Sequence, residues 1–150
     1  MELSENTNLL RKFRKTAWRF QQTFGTSSTD RQVFAASVVS AIHSLQAASV
    51  IVDQVVFEPK HFFAMLGRHP LPPHGLNKTS ITALGPQEAG ALLVAALGDD
   101  VDFLFVPVPR PFLVFADHHD YATIYAQYSV ESESGRPVFV DARFQRDSRL

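Results

Sequence analysis

The chain has 150 residues, 45% of them hydrophobic and 19% charged, and a formal net charge of −1 at pH 7. This length and composition predict one folded domain rather than a disordered segment. Because the chain has no cysteine, disulfides, thiolate metal sites and a cysteine nucleophile are excluded. The start of the chain does not resemble a secretory signal, and no apolar run approaches the roughly 20 residues of a membrane helix. We therefore expect a cytoplasmic protein that does not enter a membrane.

The charge is distributed unevenly along the chain. Between residues 6 and 29 there are five basic residues and no acidic one, namely Arg11, Lys12, Arg14, Lys15 and Arg19. Between residues 88 and 133 there are eight acidic residues and one basic residue, Arg110. Such a division predicts either two binding surfaces of opposite sign or two parts of the molecule that attract each other.

The first part of the chain favours helices. Apolar residues from Leu9 to Phe24 recur at spacings of three and four, which predicts a helix over 4–24 with a basic outer face. A second helix follows the capping residues Ser27–Asp30. The β-branched run at 50–57 predicts a strand, although a continued buried helix remains an alternative.

The middle of the chain predicts a short helix opened by Pro59, a proline-rich loop at 68–75 and a strand at 79–84. The clearest helix starts at residues 85–88, with Pro86 in its first turn, and ends at Gly98. Its apolar residues lie nearly all round it, which is typical of a buried helix.

The last third predicts strands at 102–107, 110–116, 121–128 and 137–144, with a polar turn at 131–136. The predicted fold class is therefore α+β: N-terminal and central helices packed on a mainly antiparallel C-terminal sheet of about four strands in a meander.

We expect one domain over residues 1–150. Its expected parts are a helical part with one strand at 1–58, a loop and helices at 59–98, the sheet at 99–144 and a frayed tail at 145–150.

Three prolines between Val106 and Pro111 indicate that the chain reverses there, because each removes a donor that a central strand needs. In an antiparallel meander, the start of one strand and the end of the next lie at the same end of the sheet. We therefore predict an acidic rim that bears histidines and is offered to a partner. Its residues are Asp99, Asp100, Asp102, Asp117, His118, His119, Asp120 and Tyr121.

No motif of nucleophilic catalysis or phosphate binding is present, so the sequence favours a non-enzymatic protein without a cofactor. We expect a small interaction or regulatory protein, similar in charge and size to inhibitor and immunity proteins, which binds a basic protein partner through the acidic rim. A homodimer is a second expectation, because both faces of the strand at 102–107 are apolar and need cover.

Two other functions remain as alternatives. The first is a metal-assisted enzyme that uses Asp117, His118, His119 and Asp120 as ligands or as acid and base. The second is nucleic-acid binding through the basic first helix, with Arg11, Arg14 and Lys15 on phosphates and Trp18 stacked on a base. The near-zero net charge disfavours nucleic acid as the partner.

Overall fold

The computed structural model describes residues 2–5, 8–56, 60–66 and 78–127. These residues form an α+β fold with one antiparallel sheet of seven strands. The strands are β1 (Glu2–Glu5), β2 (Phe20–Gly25), β3 (Ala47–Gln54), β4 (Thr79–Leu84), β5 (Asp102–Val108), β6 (Leu113–Asp117) and β7 (Tyr121–Ala126). The helices are α1 (Asn8–Lys15), α2 (Arg31–Ala41), α3 (Lys60–Leu66) and α4 (Gly85–Gly98). The strand order is β1-β4-β3-β5-β6-β7-β2.

The expected architecture, a C-terminal sheet of about four strands, is wrong. The sheet has seven strands, and four of them, β1 to β4, come from the first 84 residues. Only β5, β6 and β7 follow one another as a meander. Strands from both halves of the chain pair throughout the sheet, so no separate helical part precedes a separate sheet part.

The helix expected over 4–24 is also wrong, because that stretch contains the end of β1, the whole of α1 and most of β2. The apolar spacing predicts the wrong element because Phe20 and Phe24 are four residues apart. A separation of four residues fits one turn of a helix, and it also fits two repeats of a strand. In the structure β2 pairs with β7 over its whole length. Tertiary pairing, which the local pattern cannot show, decides between the two periods.

Other elements lie where the sequence predicts them. β4 and α4 match the predicted strand and helix, and β3 shows that the ambiguous run at 50–57 contains a strand. The predicted loop at 68–75, the turn at 131–136 and the strand at 137–144 lie outside the described residues, as does the tail. Among the described residues, none of the helices has the length and apolar character needed to cross a membrane.

The larger core lies on one face of the sheet, which we call the first face. Here α2 and α4 cover the inward side chains of the central strands, including Val50, Phe103 and Phe105, which are fully buried. From α4, Leu92 and Leu93 are also fully buried, and each such side chain contributes about 1.5–3 kcal/mol relative to exposure. Because α4 contacts the helices α2 and α3 as well as the strands β3 and β4, neighbours cover most of its sides, which explains its apolar pattern.

The opposite, second face is covered by α1. Leu10 of this helix is buried against Leu104 and Val106 of β5. Phe13 adds ring contacts with Phe115 of β6 at 5.6 Å and with Tyr125 of β7 at 4.9 Å between centroids. Both apolar faces of β5 are therefore buried by elements of the same chain.

Candidate functional site

The acidic rim lies at one end of the sheet, where β5 begins and β6 ends. Residues 118–120 form the turn between β6 and β7, and residues 99–101 connect α4 to β5. Because β5 and β6 pair in antiparallel register, with Phe103 opposite Ala116, these two connections lie side by side. The topology brings together the two groups of acidic residues, as the meander argument predicts for this part of the sheet.

The closest link between the two connections is made by Asp102 and His118. The Asp102 Oδ1 atom accepts a hydrogen bond from the backbone N–H of His118 at 2.8 Å, and the His118 Nδ1 atom lies 2.8 Å from the same oxygen. Asp102 is buried. This hydrogen bond raises the pKa of His118 above its ordinary value. Asp102 therefore holds the turn in place and favours the protonated imidazole.

A second aspartate–histidine pair repeats this geometry. The Asp99 Oδ1 atom accepts a hydrogen bond from the backbone N–H of His61 at 2.9 Å, and the His61 Nδ1 atom lies 2.6 Å away. The Asp99 side chain is almost fully buried, whereas the His61 ring is exposed. The bond joins α3 to the end of α4. Asp99 and Asp102 are thus buried carboxylates, and each binds a histidine whose ring is more exposed than the carboxylate.

Two carboxylates of the acidic rim that solvent reaches, those of Asp100 and Asp120, lie close together. Both are non-glycine residues with positive φ, at 52° and 64°. Arg31 Nη2 lies 3.6 Å from an oxygen of each carboxylate. Burial and then the neighbouring Asp120 carboxylate raise the pKa of Asp100, despite the opposing charge of Arg31. The single guanidinium does not balance the two acids.

The remaining residues of the acidic rim complete the turn. Asp117 Oδ1 accepts a hydrogen bond from the backbone N–H of His119 at 2.8 Å. The rings of His118 and His119 are 4.1 Å apart. Tyr121 begins β7, where it lies opposite both Asp117 of β6 and Gly25 of β2. All eight residues of the predicted acidic rim therefore occupy one end of the sheet.

Sequence reasoning missed two partners of this site, Arg31 and His61. For Arg31 a signal existed: a cation in the first turn of a helix opposes the macrodipole, so its presence indicates a nearby anion. His61 lies near the start of a short helix, and nothing local distinguishes it from a solvated histidine. Its partner Asp99 is 38 positions away.

The basic residues of the alternative nucleic-acid surface lie on α1, where Arg11, Arg14 and Lys15 are exposed. Arg14 forms an ion pair with Asp53 of β3. The Trp18 indole N–H donates to the Phe13 carbonyl at 3.2 Å, and its ring contacts those of Phe13 and Tyr125. Trp18 is therefore part of the apolar layer between α1 and the sheet.

The alternative metal ligands are near one another, but within the described ranges no group of three or more acidic or histidine side chains has an arrangement that could hold a metal ion. Comparison with known proteins adds no assignment: no family model, no curated protein and no solved structure matches this chain. Inference about function therefore depends on the geometry of the acidic rim.

Proposed function

We propose that the protein is a non-enzymatic interaction or regulatory protein, which binds a basic protein partner through the acidic rim. The observation that carries this proposal is the pair of carboxylates at Asp100 and Asp120. Both stand on backbone of positive φ, a conformation that costs free energy in non-glycine residues and that is common at functional sites. The pair is exposed enough to be reached from solvent.

The two carboxylates have unused capacity for a cation. Arg31 approaches both at 3.6 Å, which is longer than the roughly 2.7–2.9 Å of a charge-assisted hydrogen bond. The raised pKa of Asp100 has burial and repulsion from Asp120 as its leading causes. An arginine or lysine from a partner would relieve the repulsion and form the short contacts that Arg31 does not make.

The remaining acidic residues support this surface in two ways. Asp99 and Asp102 fix the neighbouring elements from buried positions. Asp117 adds negative charge beside the exposed pair, and a concentration of like charges speeds the approach of an oppositely charged protein. A cytoplasmic location is part of the proposal, and the absence of cysteine supports it.

The test is binding of a fluorescent nona-arginine peptide at low ionic strength, followed by anisotropy. We expect Asp100→Asn combined with Asp120→Asn to weaken binding about three- to tenfold, since the peptide loses both carboxylates. Asparagine keeps the shape and tolerates positive φ, so the fold is preserved.

Glu88→Gln is the matched control because it removes one negative charge at the opposite end of α4. Its side-chain oxygen can still accept the hydrogen bond from the Leu84 N–H. We expect this variant to bind the peptide as the wild type does. Equal weakening by the control and by either rim substitution alone would show that only overall charge matters, and the proposal would be lost.

A further inference from the structure

The strand β2 forms an edge of the sheet, because no described strand pairs with its outer side. Its sequence, FQQTFG, has no charged residue and no proline, and its register with β7 continues without a bulge from Phe20 to Gly25. Charged residues, prolines and bulges are the features by which proteins usually protect an edge strand. Without them, the N–H and C=O groups on the outer side of a strand can pair with another chain. β1, at the other edge, has only four residues and begins and ends with glutamate.

The backbone of β2 presents alternate residues to the open side. The Thr26 N–H donates to the Asp120 carbonyl at 2.8 Å, so Thr26 faces β7. Along an antiparallel strand, the N–H and C=O groups of successive residues point alternately to one side and the other. The backbone groups that also point toward β7 are therefore those of Phe24, Gln22 and Phe20. The hydroxyl contact of 2.8 Å between Thr23 and Thr123 fits the close side chains of a non-hydrogen-bonded pair. Gln21 and Thr23 thus direct their backbone groups to the open edge.

We propose that β2 pairs with β2 of a second copy of this chain, in antiparallel register around a two-fold axis at Gln22. In this register Phe20 lies opposite Phe24 of the second copy, and Gln21 lies opposite Thr23. Each opposed pair is apolar with apolar or neutral with neutral, and the pairing covers the exposed Phe20, which has 46% of its surface accessible. The strand is therefore complementary to itself, as a two-fold interface requires.

Charge complementarity also selects a second copy. The same register places Arg19 opposite Gly25 of the partner copy. A side chain at Gly25 would meet no atom of the described residues within 4 Å, which leaves room for the arginine beside this part of the structure. Beyond Gly25 lies Tyr121 of the acidic rim, which is its pair in β7. The guanidinium of one copy can thus lie over the Tyr121 ring of the other, in the negative field of Asp117 and Asp120.

The pairing does not depend on the proposed partner of the acidic rim, since it uses the backbone of β2. It forms one continuous sheet from two copies and adds a cation from each copy to the edge of the other copy's acidic rim.

Cysteine cross-linking tests the register directly, because the natural chain has no cysteine. Residues at a non-hydrogen-bonded antiparallel pair have Cα atoms about 4.5 Å apart, within the range of a disulfide. We expect Gln22→Cys to give a covalent dimer under mild oxidation. Ser4→Cys, exposed on the opposite edge strand, should stay monomeric. A cross-link through Ser4 and none through Gln22 would overturn the proposal.

Sedimentation of the unmodified chain gives the second measurement. We expect a concentration-dependent dimer, whose dissociation constant Arg19→Glu raises about tenfold by placing a negative charge beside the partner's acidic rim. Arg11→Glu makes the same charge change on α1 and should leave the constant unchanged. A wild-type chain that stays monomeric up to about 100 μM, a concentration that detects all but the weakest association, would refute the pairing.

Discussion

Three aspartates near the junction of α4 and β5, two in the connection and one at the first position of β5, each contact a different part of the molecule. Asp99 binds His61 of α3, Asp100 approaches Arg31 of α2, and Asp102 binds His118 in the β6–β7 turn. Two of these carboxylates are buried and one is more exposed. Neighbouring residues of the same type therefore have different tasks: the buried ones position elements, and the more exposed one belongs to the proposed binding surface.

Replacing Asp102 by asparagine tests the positioning role of a buried carboxylate, here through its contact with His118. The variant keeps an oxygen acceptor but removes the charge that favours the protonated His118. We expect the His118 pKa to fall toward its ordinary value of 6.5, as measured by NMR titration of the imidazole. Asp117→Asn is the control and should lower this pKa less, because its carboxylate acts on His118 only through space.

The same variant gives a stability test with a definite sign. A histidine whose pKa is raised in the folded state contributes stability that is complete below the unfolded pKa and is lost as the pH rises through the folded pKa. We therefore expect Asp102→Asn to lower the melting temperature at mildly acidic pH and to lower it less in alkaline solution. A lowering that grows with pH would contradict the role assigned to this charge.

Asp100→Asn should have the opposite effect on stability. Because the Asp100 pKa is raised from 3.8, the folded state holds the proton more tightly, and the ionised carboxylate opposes folding at neutral pH. We expect the variant to melt at a higher temperature than the wild type near pH 7, with the difference disappearing at about pH 3. A lower melting temperature at neutral pH would show that attraction to Arg31 outweighs burial and repulsion.

At the scale of elements, α1 is the cover of the second face. Leu10 is buried, and Phe13 contacts aromatic rings of two strands. Its eight residues are too few for an isolated helix to be stable in water, so its structure depends on this contact.

Truncating Phe13 to alanine should therefore loosen the helix. We expect a loss of about 2–3 kcal/mol, below the full cost of a buried phenylalanine because this ring is partly exposed. Trp18 is the only tryptophan and contacts Phe13, so its fluorescence should shift to longer wavelength in the folded variant. Arg11→Ala, on the exposed side of the same helix, should change the stability by less than about 0.5 kcal/mol and leave the emission unchanged.

The elements also show what the sequence could reveal. The strand β4 and the helix α4 carry local signals, namely the β-branched residues Thr79, Ile81 and Thr82 in the strand and Pro86 and Gly98 at the ends of the helix, and both elements lie where the sequence predicts them. β2 has no such signal, because its phenylalanines fit two periods. The sequence predicts the part of the acidic rim that depends on the pairing of β5 with β6 and on the turn between β6 and β7. The contacts of Arg31 and His61 depend on helices packed from elsewhere in the chain, which no local pattern specifies.

At the scale of the whole molecule, the first 25 residues provide both edge strands of the sheet that the described residues form. β1 pairs with β4 at one edge and β2 pairs with β7 at the other, with five strands between them. At about 4.8 Å per strand, the two edges are about 29 Å apart. The connection through α1 crosses the second face between them, and Arg14 is paired with Asp53 on the way. The N-terminal segment is thus a strap that encloses the central strands.

This strap has a consequence for biosynthesis. A ribosome makes residues 2–25 before β7, although β7 is the strand partner of β2 and ends only at Ala126. At a synthesis rate of about 5–20 residues per second, about 5–20 s pass between the synthesis of β2 and the synthesis of its partner β7. β2 can therefore pair only after β7 has been made, and a nascent chain halted before β7 should leave residues 20–25 open to protease.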